Sequence, residues 1–170
     1  GDTYLNSIVI NFPNPKGDVE RFYVIEAPVM HPGLAARYPG IKSYAGQGID
    51  DPTATIRFSV SDQLGFHGMV LSGKGHSYYI DPYTTDGTNY KVYARKGLRT
   101  SGNDFHCFTE SAPPTAVTLS ESQARTNDRK LRKYRLALSC NAEYGNIFAG
   151  SGTDAQKKAN ILAQMNVTMT

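Results

Sequence analysis

The sequence predicts an α+β protein that is mostly antiparallel β-sheet. Three observations carry this expectation. Apolar and polar residues alternate in short runs, as in "TATIRFSV" (53–60), where Ala54, Ile56, Phe58 and Val60 alternate with Thr55, Arg57 and Ser59. Turn chemistry separates these runs: the chain has 16 Gly and 9 Pro, many of them at the run boundaries. Tyrosine is abundant at 11 and Trp is absent, and aromatic residues of this kind favour strands.

The elements follow in order. "SIVINF" (7–12) and "RFYVIEA" (21–27) flank "PNPKGD", whose Pro and Gly set a tight turn, so a hairpin is expected. In "HPGLAARYPG" (31–40), Pro32 suits a first helical turn and Pro39–Gly40 ends it, so one short helix is expected. "TATIRFSV", "GFHGMVLS" (65–72), "SYYIDPY" (77–83) and "YKVYARKG" (90–97) then read as a meander. In the last of these, Val92 and Ala94 alternate with Lys91, Tyr93 and Arg95. "NDFHCFTE" (103–110) reads as a final short strand.

The composition then changes. Residues 111–130, "SAPPTAVTLSESQARTNDRK", are rich in Ser, Thr and Pro and poor in apolar side chains, which is the composition of a linker. Beyond it, Tyr134, Leu136 and Leu138 alternate with Arg135, Ala137 and Ser139, so 133–145 is expected to be a strand. In "TDAQKKANILAQM", Thr153 and Gln156 form a capping box, and Ala155, Ala159, Leu162 and Ala163 share a face with Ile161 beside it. A lone strand and helix cannot enclose a core, so this part either opens a truncated α/β domain or docks onto the first. The expected organisation is a β-rich domain over 1–110, a linker over 111–130 and the opening of a second domain over 131–170.

The formal net charge is +3, too small to imply nucleic acid. Nine of the 18 Lys and Arg nevertheless fall between Arg95 and Arg135, densest in "RKLRK" (129–133). Such a run is either a solvated linker end or a cutting point for a trypsin-like processing protease; Arg125, Arg129, Lys130, Arg132 and Lys133 are its candidate residues. No apolar run approaches the length of a membrane helix, and "GDTYLNSIV" lacks the basic head and apolar core of a signal peptide. Two cysteines, Cys107 and Cys140, do not make a disulfide framework.

One stretch is long and specific. "IEAPVMHPGLAARYPGIKSYAGQGIDDPTATIRFSV" (25–60), followed by "GFHGMVL" and "YYIDPY", resembles the N-terminal propeptide region of secreted bacterial zinc metallopeptidases of the reprolysin-like, metzincin type. "YRLALSCNAEY" resembles the first strand of their catalytic domain, and "TDAQKKANILAQMNVTMT" its first helix. The resemblance implies a secreted or cell-surface protein whose leader has been removed. It also implies a latency and folding domain that covers its own protease until the tether is cut near 125–135. That family holds zinc in H-E-x-x-H-x-x-G-x-x-H. The four histidines here, His31, His67, His76 and His106, do not form that spacing. The zinc is therefore expected in a downstream catalytic domain, with no cofactor and no peptidase activity in these 170 residues.

Within the resemblance, Cys107 in "FHCFTE" stands at the end of the β-rich domain, in reach of a downstream active site. A thiolate on the open position of a catalytic zinc excludes the attacking water, so Cys107 is a candidate inhibitory ligand. Its surroundings depart from the switch sequence of the animal enzymes, and the alternative is a free thiol. Cys140 reads as a small buried core residue, with a Cys107–Cys140 disulfide as a second option. His106 faces away from Cys107 if the segment is extended. His67 and His76 read as surface or satisfied histidines. "GIDDP" (48–52) offers two adjacent carboxylates, either a turn or a calcium site, with turn chemistry favoured. "GKGH" is too short for a phosphate loop, and "NVT" (166–168) fits a glycosylation sequon. Tyr78, Tyr79, Tyr83, Tyr90 and Tyr93 either cover a small core or form a binding face. The latter supports a rival reading, a β-rich adhesion or glycan- or protein-binding module.

Overall fold

The computed structural model describes residues 6–97 and 134–170. The chain divides into two compact units, Gly1–Leu98 with Cys140–Thr170, and Arg99–Ser139. Of the second unit only 134–139 are described; they are exposed and carry no regular secondary structure. The expected strand at 103–110, the linker at 111–130, His106, Cys107 and the basic residues Arg125, Arg129, Lys130, Arg132 and Lys133 lie outside the described residues.

The first unit is built on one antiparallel sheet. Its strands are β1 (Ile8–Pro13), β2 (Val19–Glu26), β3 (Lys42–Gly48), β4 (Thr55–Ser61), β5 (Gly65–Leu71), β6 (Tyr78–Pro82) and β7 (Tyr90–Ala94). Each strand pairs with its sequence neighbour, giving the order β1-β2-β3-β4-β5-β6-β7 in a curled half-barrel. The β1–β2 hairpin forms where the Pro–Gly turn placed it. There the Asn14 side chain accepts from the Lys16 and Asp18 amides, and Gly17 takes φ +91, a left-handed value that favours glycine. A short helix, α1 (Pro32–Ala35), joins β2 to β3. Pro32 opens it, and the His31 ring caps it by accepting from the Gly33 amide at 3.2 Å. It is shorter than the 31–40 span expected.

One face of the sheet is the core. Phe12, Phe22, Val24, Ala54, Ile56, Phe58, Val70, Tyr78 and Ile80 are buried, with Ile10, Tyr44, Phe66 and Val92 packed against them. Their alternation along each strand puts them on the same side of the pleat. The rings interlock: Phe12 lies 5.8 Å from Phe22, 5.4 Å from Phe58 and 5.7 Å from Phe66. Tyr44 stacks on Phe58 at 4.8 Å. Burying each such side chain stabilises by about 1.5–3 kcal/mol. Val60 departs from the expected pattern. It is 38 % exposed, while Ser59 and Ser61 on the opposite face are buried.

The helical part differs from expectation at one point. No strand forms over the described part of the expected segment, residues 134–145. Tyr134, Leu136 and Leu138 alternate as a strand would, yet they are 85 %, 66 % and 51 % exposed and unassigned to any sheet. A strand needs a neighbour for its backbone groups, and pattern alone does not supply one. From Asn141 onward the chain instead forms α2 (Ala142–Phe148), because the Asn141 carboxamide accepts from the Tyr144 amide at 2.9 Å as an N-cap. The helix α3 (Asp154–Met169) starts as expected, with the Thr153–Gln156 capping box in place. It docks onto the sheet. Ala163 and Asn166 are its buried residues, and Ser43 of β3 donates to Asn166 Oδ1 at 3.0 Å. Residues Cys140–Thr170 thus fall in one compact unit with the sheet.

Strand β3 has small residues at the core face. Gly46 sits in register between Val24 and Ile56, and their side chains close over it. A Cβ at this position would meet Ile56 Cγ2 at 2.7 Å and the Tyr23 carbonyl oxygen at 3.0 Å. Overpacking of this kind costs about 1–3 kcal/mol. Gly46→Ala is therefore expected to lower the urea midpoint by that amount of stability, with an unchanged denaturant slope. An unchanged midpoint would show that β3 has room the packing denies.

Candidate functional site

The outer face of the sheet carries a cluster of titratable side chains on β5, β6 and β7. Residues opposite one another on neighbouring strands are side-chain neighbours. Met69 pairs with Tyr79, Tyr79 with Tyr93, and Asp81 with Lys91. The result is a hydrogen-bonded chain across β5, β6 and β7. His67 Nδ1 lies 2.8 Å from Asp81 Oδ1, and the Tyr93 hydroxyl donates to Asp81 Oδ2. Tyr79 stacks on Tyr93 with centroids 5.5 Å apart, and Lys91 Nζ stands 5.4 Å from the Tyr93 ring centroid. His67 and Asp81 are each 24 % exposed at the side chain.

The electrostatics follow from these contacts. The bond to His67, and then that to Tyr93, hold the Asp81 carboxyl below the usual carboxylate range. Burial, and then the neighbouring Asp81, push the Tyr93 hydroxyl up to about 12. Both carboxylate oxygens of Asp81 are occupied by protein donors. Ser59 is the register partner of His67, so hydroxyl, imidazole and carboxylate succeed one another across three strands. Ser59 is only 2 % exposed, however, and a substrate carbonyl cannot reach its hydroxyl. The cluster fastens strands together and offers a half-exposed aromatic pair; it does not present a nucleophile.

The two carboxylates of "GIDDP" diverge. Asp50 takes Arg21 in a forked pair, 2.6 Å from Nη2 and 3.1 Å from Nε, and also accepts the Arg21 amide at 2.8 Å. Asp51 accepts from the Thr53 hydroxyl at 2.7 Å, the Thr53 amide at 3.0 Å and the Ser72 hydroxyl at 2.6 Å, with Lys74 at 3.3 Å. The hydroxyls of Ser72 and Thr53 hold the Asp51 carboxyl far below the usual range. These oxygens build the β3–β4 turn rather than a calcium cage. Among the described residues no three His, Cys, Asp or Glu side chains converge as metal ligands.

The remaining sequence candidates separate. Tyr78 is core, 2 % exposed, with its hydroxyl donating to Glu20 at 3.0 Å and its pKa driven up by burial. Tyr90 meets the edge of Phe66 at 6.2 Å, and Tyr83 is 74 % exposed. The five tyrosines thus divide between the two faces. Cys140 is exposed, not buried as its strand setting implied, because the strand is absent; among the described residues it is a free thiol. The sequon residue Asn166 is buried and bonded to Ser43, so a glycan cannot be accommodated in this fold. Sequence reasoning missed the His67–Asp81–Tyr93 chain. Its signal was available only through the register of β5, β6 and β7, which juxtaposes residues 14 and 12 apart in sequence. No helix among the described residues is long and apolar enough to cross a membrane. No protein-family model, no curated protein and no solved structure matches this chain.

Asp81 generates a pH prediction. A carboxyl whose folded pKa is depressed contributes stability above its unfolded value, near pH 4, and loses that contribution as pH falls through the folded value. Asp81→Asn is expected to cost about 1.5–3 kcal/mol at pH 7, the range for a hydrogen bond to a charged group. The gap between parent and variant should shrink as pH falls below about 4. A gap independent of pH would mean that the charge on Asp81 contributes nothing.

Proposed function

We propose that the chain is the propeptide region of a secreted zinc metallopeptidase of the reprolysin-like, metzincin type, followed by the start of its protease. On this reading the β-rich unit keeps the protease latent and assists its folding until the chain is cut near 125–135. Its partners are its own catalytic domain and a processing protease, and zinc belongs to the downstream domain. The observation that carries the proposal is the block "SYAGQGIDDPTATIRF" (43–58). These residues build β3, the Asp50–Asp51 turn and β4, at the centre of the sheet. The energetic logic is intramolecular: a tether raises the effective concentration of a blocking domain, so modest contacts suffice while the tether is whole. A second reading, a β-rich adhesion or glycan- or protein-binding module, draws on the half-exposed Tyr79–Tyr93 stack beside Lys91, a surface suited to a sugar ring or a peptide.

The test uses the gene product that continues through the downstream sequence. The parent is expected to be silent and to gain at least about tenfold in peptidase activity when trypsin cuts within 125–135, because cleavage ends the effective-concentration advantage. Replacing Arg125, Arg129, Lys130, Arg132 and Lys133 by Gln should abolish that gain. Cys107→Ser separates two routes to latency. A thiolate on zinc predicts spontaneous activity in the uncleaved variant, since a neutral hydroxyl is a far poorer zinc ligand. A variant as silent as the parent leaves steric cover as the mechanism. A downstream sequence without a zinc motif would remove the protease reading and leave the binding module.

A further inference from the structure

The seat of α3 on the sheet is unlike the core on the other side. Its floor is Ser43, Ser59 and Ser61, three buried hydroxyl side chains on one face. Only Ala163 and Asn166 of the helix are buried. The direct links are polar: Ser43 to Asn166 Oδ1 at 3.0 Å, and Thr170 to Ser43 at 3.1 Å. Asn166 Nδ2 is buried without a protein partner among the described residues. It borders a cavity of about 40 Å³ walled by Val29, Met30 and Ile41 together with Glu26, Lys42 and Ser43. At the other end of the helix, Ala155, Gln156, Ala159 and Asn160 face Asp62 and Gln63 across an open groove of about 500 Å³. The helix therefore meets the sheet near its C-terminal end and stands away from it near its start.

The two helices are also joined to each other. Asn160 Nδ2 donates to the Ala149 carbonyl at 2.7 Å, and a Cβ on Gly145 would lie 3.8 Å from Ile161 Cδ1. We propose that α2 and α3 form a detachable clasp, which opens from the sheet as one unit while the sheet stays folded. Ala163 is the one fully buried apolar residue of α3, and water offers the hydroxyl and amide groups that seat the helix equivalent partners. The core face, with its interlocked aromatic rings, has no such substitute. Elements with few buried apolar contacts open at low free energy. Once undocked, α2 at 7 residues is too short to remain helical, and α3 at 16 lies near the length where an isolated helix is marginal in water. Opening would uncover a serine-floored strip beside His67. The proposal does not depend on the latency reading, since its readout is amide exchange and not peptidase control.

Hydrogen exchange on the intact 170-residue chain tests it. Amides of 160–167 are expected to exchange at least about 100-fold faster than those of Ile56, Phe58 and Val70, as local opening does relative to global unfolding. Ser43→Ala should accelerate the helical amides by about tenfold, the equivalent of about 1.4 kcal/mol, and leave those of β4 and β5 unchanged. Ala163→Asp, which places a charge in the seat, should free the helix while the sheet keeps its protection. Helix and sheet exchanging at one rate, or both accelerating together in either variant, would overturn the proposal, because α3 would then belong to the same cooperative unit as the core.

Discussion

Phe12 holds the fold's central constraint. It lies on β1, an edge strand of the described sheet, yet its ring sits 5.7 Å from Phe66 on β5. Four strand spacings of a flat sheet would separate those strands by about 19 Å. The contact is possible only because the sheet curls, and the curl follows from burying one cluster of rings inside a single layer. Among the described residues the usual alternative, a second sheet or a row of helices over the apolar face, is not found on this side. Small residues are then required where strands approach over the cluster, which is why β3 brings Gly46 and Gly48 to the inner face between larger neighbours. Curling also turns the outer face into the polar one, where Asp81, His67, Lys91 and the serine floor of α3 are found.

This division explains what was legible in the sequence. β1, β2, β4, β5, β6 and β7 alternate visibly or sit between turn residues, and each was expected close to where it lies. β3 was not. "KSYAGQG" has low strand propensity, and it is a strand because β2 and β4 supply partners on both sides. The reverse error occurred at 133–145. Tyr134, Leu136 and Leu138 have the period of a strand but no partner, and the Asn141 cap diverts the next residues into α2. Periodicity reports which side chains prefer burial, not whether a neighbour is present to pair the backbone. The capping box of α3 was readable because it is local: Thr153 and Gln156 satisfy each other within one turn.

The outer-face chemistry was illegible for the same reason that β3 was. His67, Asp81 and Tyr93 are ordinary residues in isolation, and only the register of three strands makes them a chain. Their arrangement shows how a triad-like order of groups arises with its hydroxyl buried. An acid–base pair needs a reachable partner as well as the right sequence of groups. Here the carboxylate is saturated by His67 and Tyr93, and the neighbouring hydroxyl of Ser59 is buried. The pair is therefore better understood as a polar fastener where the apolar core thins toward β7.

The two faces also bear on the latency reading. The inner face is consumed by the protein's own rings, so a domain covering a protease cleft has the polar outer face, the sheet edges and the turns with which to do it. Polar surfaces of that kind bind weakly between free partners, since each contact replaces an equally good one with water. Tethering changes the balance without any change in the contacts. On this reading a weakly adhesive surface is the useful one. A tightly binding propeptide would persist as an inhibitor after cleavage, whereas one that depends on its tether leaves once a basic site between Arg125 and Lys133 is cut. A thiolate at Cys107 would strengthen the closed state in the same conditional way, because zinc–sulfur ligation is also favoured by the high local concentration that the tether maintains.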